Sequence, residues 1–235
     1  MKVLVIPSWY PEGNDRLMGI YHKDYCMAIS NKVDVDMIYI YRQSIKHFIK
    51  YIFMNKKEID DEKAYKVYKY KMLDVSKISY KLQMHLYYKK LEKAYKEYIK
   101  INNKPDILHA QVIIPAGYAV SRLGKKYNIP VIVTEHSSGF MKYFKAKDKK
   151  YSEFVLENSK ISAVSEFMKN EINKLTTGCK VIPNSVDISI FNKEKYKRSK
   201  TLKLVCVSAF RKGKRIEDII YALNILINEK KRHTF

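Results

Sequence analysis

The chain has 235 residues, 46% of them hydrophobic, with 46 Lys and Arg against 24 Asp and Glu for a formal charge of +22. This length allows one large domain, or a domain with a fragment of another, and the apolar content excludes global disorder. The 7 glycines exclude collagen-like and low-complexity architectures. The field selects polyanions as partners: nucleic acid, anionic headgroups or nucleotide-sugar diphosphates.

Residues 2–6 form a short apolar run closed by Pro7, which predicts a buried parallel strand entering a loop. A helix follows from Gly19 to about residue 30, with Ile20, Met27 and Ala28 among its apolar positions. Alternation over 33–41 predicts a second strand, 42–62 a helix plus a charged loop, and 64–70 a third strand. A long helix is expected over 76–101, free of Pro and Gly, with Leu82, Leu86, Tyr95 and Ile99 as its inward stripe.

Pro105 ends that helix, and the alternation then becomes regular. Strands are expected at 106–110, 131–134, 160–164 and 180–182, and helices at 116–127, 149–158 and 165–174. Ser165 with Glu166 suits a helix start, because a hydroxyl caps and a carboxylate favours the first turn. Past a turn-rich connection over 183–200, a strand is expected at 202–207 and an amphipathic helix at 216–229. Strands alternating with helices indicate an α/β doubly wound parallel sheet.

Cys26, Cys179 and Cys206 are isolated, with no CxxC spacing, which fits reduced thiols in a cytoplasmic protein. No run approaches the ~18 apolar residues of a membrane span.

Ligands of such folds sit beyond the carboxyl ends of the strands. Gly19 opens a helix there, and its backbone allows close approach by a phosphate or sugar. His109 and His136 each end a strand, where an imidazole can hydrogen-bond a substrate hydroxyl. Arg211, Lys212, Lys214 and Arg215 surround Gly213 at a helix start and could clamp a diphosphate. No GxGxxG is present, so a dinucleotide cofactor gets little support.

In order, these motifs are Lys2-Val-Leu-Val-Ile-Pro-Ser-Trp-Tyr-Pro, Gly19-Ile-Tyr, Asp106-Ile-Leu-His-Ala, Ile129-Pro-Val-Ile-Val-Thr-Glu-His, Ile161-Ser-Ala-Val-Ser-Glu and Val181-Ile-Pro-Asn-Ser-Val-Asp. Together they resemble glycosyltransferase family 4, whose members are retaining GT-B enzymes of polysaccharide and glycolipid synthesis. The resemblance implies an acceptor-side Rossmann-like domain over 1–183, a linker over 184–200, and the first strand and helix of a truncated donor-binding domain over 201–235.

By the same resemblance, Gly19 lies near the donor diphosphate and acceptor. His136 is the catalytic-site histidine that positions the transferred sugar, and Lys214 contacts the donor phosphates. Asn184 and Asp187 are structural. No metal or cofactor is implied; the nucleotide sugar is a substrate. Ala209 stands where the family commonly has arginine; nearby Arg211 is a candidate substitute, though at a different backbone position. Arg215 and Ser185 stand where it usually has glycine. The family's donor-holding glutamate pair has no counterpart, since Glu217 and Glu229 lie at other places and spacing. Low or absent transferase activity is therefore expected of residues 1–235 alone.

Residues 42–104 carry 17 Lys and Arg against 7 Asp and Glu, interleaved with tyrosines, which points to an anionic membrane surface. The other classes are a non-catalytic sugar- or nucleotide-binding half paired with a separate donor-binding chain, and nucleic-acid binding. The last lacks any recognised motif.

Overall fold

The computed structural model describes residues 1–12, 17–145, 148–189, 191, 203–208, 210 and 212–232, with side chains as far as 229. The chain divides into two compact units, Met1–Phe191 and Asn192–Phe235.

The first unit holds one eight-stranded sheet. Its strands are β1 (Lys2–Pro7), β2 (Asp34–Ser44), β3 (Lys57–Glu62), β4 (Tyr65–Asp74), β5 (Ile107–Gln111), β6 (Val131–Glu135), β7 (Lys160–Ala163) and β8 (Lys180–Val181). The spatial order is β3-β4-β2-β1-β5-β6-β7-β8, and every pairing is parallel except β3 with β4. The helices are α1 (Ile20–Ser30), α2 (Phe48–Phe53), α3 (Tyr80–Tyr98), α4 (Tyr118–Tyr127), α5 (Lys149–Asn158) and α6 (Glu166–Ile172).

Strand β1 is buried on both faces, as parallel sheets require. Leu4 and Ile6 belong to one core with residues of α3, α4 and α5, while Val3 and Val5 belong to a second that includes Cys26 of α1. Gly124 of α4 lies so close to β6 that an added Cβ would sit 2.2 Å from Val131 Cγ2. Ser165 caps α6 as its sequence predicts, accepting from Met168 N at 3.3 Å.

Three expectations are corrected. Residues 42–62 are not simply helix and charged loop: 42–44 complete β2, α2 follows, and β3 forms an antiparallel edge strand. Its KEIDDE sequence has no apolar face, which conceals a strand; such charge is what keeps an open edge from pairing with other chains. Lysines of β4 answer that charge, with Lys69 Nζ 2.7 Å from Asp60.

The inward face of α3 departs from the expected stripe in its first half only: Tyr95 is buried and Ile99 packs against the core as expected. Leu82 and Leu86 are exposed, whereas Met84, Tyr87, Leu91, Ala94, Tyr95 and Tyr98 are buried. These positions recur at three- and four-residue spacing and bury large rings, which outweighs two leucines. In α1 the buried residues are His22 and Cys26, one turn apart, and Met27 packs against the same core.

In the second unit, residues 203–208 are not in a strand. Among the described residues they have no neighbouring strand, and a strand without a ladder leaves its backbone groups unpaired. A turn at Lys212–Lys214 then leads into α7 (Ile216–Arg232).

Candidate functional site

The carboxyl ends of β1, β5, β6 and β7 lie side by side, so the loops after them share one edge. Gly19 precedes α1 with φ +74°, in the left-handed region that favours glycine. A Cβ there would sit 2.8 Å from Trp9 Cδ1 and 2.9 Å from Trp9 O. Backbone angle and space both demand glycine.

Aromatic and imidazole groups pack closely around Gly19. Trp9 Nε1 donates to Tyr21 Oη at 2.7 Å. Tyr21 and His136 have ring centroids 4.7 Å apart, and His22 meets His136 edge-on at 5.1 Å. His22 is fully buried, and both its ring nitrogens lack a hydrogen-bond partner among the described residues.

Behind this cluster runs a hydrogen-bonded chain. His136 Nε2 is 2.6 Å from Gln111 Oε1, and Gln111 Nε2 is 3.3 Å from His109 Nε2. His109 Nδ1 is 2.9 Å from Tyr25 Oη, and its Nε2 is 2.7 Å from Thr134 Oγ1. With the Gln111 amide in this orientation, His136 carries its hydrogen on Nε2 and His109 on Nδ1. His136 Nδ1 keeps a lone pair, buried and without a hydrogen bond of good geometry among the described residues.

Burial holds all three imidazoles neutral. It lowers His136 to about 4, against a smaller upward pull from the Asn184 side chain, and lowers His109 to about 3 with His136 adding to the effect. His22 lies well below the ordinary histidine value, first from burial and then from His136 and His109. At neutral pH these rings exchange hydrogen bonds rather than charge.

Glu135 is fully buried at the end of β6. One oxygen accepts from Ile113 N at 3.0 Å, and the other from His136 N at 2.9 Å and Ser137 N at 2.6 Å. Burial raises its pKa while the three backbone donors oppose the rise. The carboxylate thus fixes the loop that carries His136 to the loop after β5.

Beside these residues lies a cavity of about 550 Å³, whose lining includes Trp9, Arg42, Tyr80, Ile114, Pro115 and Tyr143. Among the described residues no three His, Cys, Asp or Glu side chains gather in a way that would hold a metal ion.

The structure therefore brings Gly19 and His136 together. His109 sits one layer deeper, 4% exposed, and reaches the cluster only through Gln111. Trp9, Tyr21, His22, Gln111 and Glu135 went unmarked in the sequence. Gln111 and Glu135 did leave a signal, each being a polar residue that closes an otherwise apolar strand. Asn184 acts on His136 as well as belonging to the connector.

The second unit is distinct. Lys214 ends the turn before α7 and is exposed; Arg211 and Ala209 lie outside the described residues. Arg215 adopts φ +48°, left-handed as a glycine there would be, and its Nη2 is 2.6 Å from Asp218 Oδ2.

The model of glycosyltransferase family 4 matches residues 50–190, more than half of the sequence. The chain belongs to glycosyltransferase family 4. No curated protein matches it. Among solved structures, the family 4 chain is similar to HepE of Anabaena in complex with UDP, at TM-score 0.52 and 11% identity over 83% of this chain and 47% of that one. It is likewise similar to the trehalose-6-phosphate phosphatase N-terminal domain of Candida albicans, at TM-score 0.55 and 12% identity over 80% and 49%. The chain spans about half the length of these relatives, and the likeness is one of fold: the Rossmann-like α/β arrangement of GT-B glycosyltransferases.

Proposed function

We propose that this family 4 glycosyltransferase takes part in retaining sugar transfer from a nucleotide-diphosphate sugar to a glycan or lipid-linked acceptor of bacterial surface polysaccharide. The Met1–Phe191 unit is the acceptor-side half. The bond from the anomeric carbon to the diphosphate oxygen breaks as the acceptor oxygen bonds to that carbon, and the acceptor hydroxyl's proton passes to the departing diphosphate. Cations meet the charge of the departing nucleoside diphosphate, and Lys214 and Arg211 are assigned that task.

The observation that carries this proposal is the ring cluster of Trp9, Tyr21, His22 and His136 packed beside Gly19 at the strand ends. Sugars present apolar C–H faces to rings and hydroxyls to hydrogen-bonding atoms, and this cluster offers both. His136 Nδ1 accepts from a sugar hydroxyl, which suits positioning of the transferred sugar, because a neutral imidazole has no proton to spare for acid catalysis. His109 is a positioning residue acting through Gln111.

Saturation-transfer NMR with oligosaccharides and nucleotide sugars tests this. Saturation should reach the sugar protons, and His136→Ala should weaken binding by about tenfold, the worth of one good hydrogen bond. Absence of saturation with every sugar, or equal binding by the variant, tells against it. No helix among the described residues is long and apolar enough to cross a membrane. Peripheral contact at the cytoplasmic face, through the basic 42–104 segment, predicts flotation with anionic but not zwitterionic vesicles.

A further inference from the structure

Away from the strand-end cluster, α4 packs against both α3 and α5. Between the three helices lies a cavity of about 300 Å³, lined by Lys81, Arg122 and Lys150 together with Tyr118, Tyr151 and Phe154; the His85 side chain completes its lining. All three cations belong to the N-terminal halves of their helices, where the backbone dipoles also favour an anion.

No carboxylate lines this cavity. Neighbouring lysines on the same helices are neutralised: Lys126 of α4 is 2.6 Å from Glu92, and Lys149 of α5 is 3.6 Å from Glu153. Lys81, Arg122 and Lys150 have no carboxylate partner among the described residues.

The Arg122 guanidinium is held over the Tyr88 ring, 4.0 Å from its centroid, and Nη1 donates to Tyr118 Oη at 3.3 Å. A guanidinium stacked in this way keeps its remaining in-plane donors facing outward for a bidentate oxyanion. The aromatic walls suit the carbon-bearing part of the same ligand. Tyr80 separates this cavity from the larger one at the strand ends, its ring 5.9 Å from that of Tyr151.

We propose that the α3–α4–α5 cavity is a binding site for a phosphorylated group, held by Arg122, Lys81 and Lys150. The phosphate belongs either to a lipid headgroup or to a free phosphorylated glycan. The site requires no sugar transfer, so the proposal stands apart from the function assigned above.

Two probes test it with the full chain: calorimetric titration with inorganic pyrophosphate at physiological salt, and flotation with phosphatidylglycerol–phosphatidylcholine vesicles. Lys81→Gln/Lys150→Gln removes two cations without touching the Arg122 stack. Lys32→Gln/Lys180→Gln makes the same change in net charge elsewhere. Loss of two charge-assisted contacts should weaken pyrophosphate binding by about tenfold or more, while the control stays within about twofold of wild type. Arg122→Lys should also weaken binding, since the charge remains and the planar fork is lost.

A selective fall in pyrophosphate binding with flotation unchanged identifies a free phosphorylated glycan. A selective fall in flotation identifies a lipid headgroup. Equal losses in the cavity and control variants, or no binding of either probe by wild type, overturn the site.

Discussion

Two sites of the first unit handle polarity in opposite ways: the ring and imidazole cluster at the strand ends, and the cavity between α3, α4 and α5. At the strand ends, three histidines are held neutral by burial and the one buried carboxylate is used up on three backbone donors. Between α3, α4 and α5, three cations face a cavity with no carboxylate, while Lys126 and Lys149 on the same helices are paired. The first is built to recognise neutral, hydroxyl-rich matter by direction, and the second to recognise charge. A net charge of +22 gives no hint of this partition, because a sum over the chain says nothing about which charges meet.

The largest expected effect lies at the neutral cluster. Glu135→Ala leaves three buried N–H groups without an acceptor, at about 1–3 kcal/mol each, so denaturant unfolding should show a loss of roughly 3–5 kcal/mol after partial relaxation. A loss below about 1 kcal/mol would mean that the carboxylate does not hold the two loops together. Gly19→Ala comes next. A methyl group at φ +74° pressed against Trp9 should cost roughly 2–3 kcal/mol in the same measurement, with Trp9 fluorescence reporting the displacement.

A third test concerns neutrality itself. Histidines whose folded pKa is depressed contribute stability that is complete above the unfolded value of about 6.5 and is lost as pH falls toward the folded values. Thermal stability should therefore decline between about pH 6.5 and the values of about 4 for His136 and about 3 for His109. Glu135 works the other way, since a raised carboxyl pKa favours the folded state as pH falls through it. His109→Gln should flatten the decline; an unchanged slope would remove His109 from the account.

The smallest effect is expected at the cationic cavity. Arg122→Gln exchanges a stacked guanidinium for a neutral amide and should change stability by no more than about 1 kcal/mol, because exposed and half-exposed cations contribute little to folding. A much larger loss would make Arg122 a structural residue and weaken the contrast between the two sites.

Much of this frame was legible in the sequence. The alternating helices and strands, both halves of the β1 apolar run, the Ser165 cap and the positions of Gly19 and His136 follow from local pattern and turn chemistry. Strand β3 was not legible because its side chains are charged on both faces, and the first half of the α3 face was misjudged because its tyrosines bury more surface than its leucines. The depth of His109 escaped for another reason: a histidine ending a strand looks the same whether its nitrogens meet a ligand or Tyr25 and Thr134.

The sequence by itself thus determined the α/β alternation and the family, since periodicity, caps and ordered motifs are local properties of a chain. Tertiary structure alone decided that Gln111 joins His136 to His109, that Glu135 spends both oxygens on the backbone, and that Lys81, Arg122 and Lys150 gather without a carboxylate. Each of these depends on register between parallel strands or packing between helices far apart in sequence. Those relations arise only when the sheet assembles, and no single segment carries them.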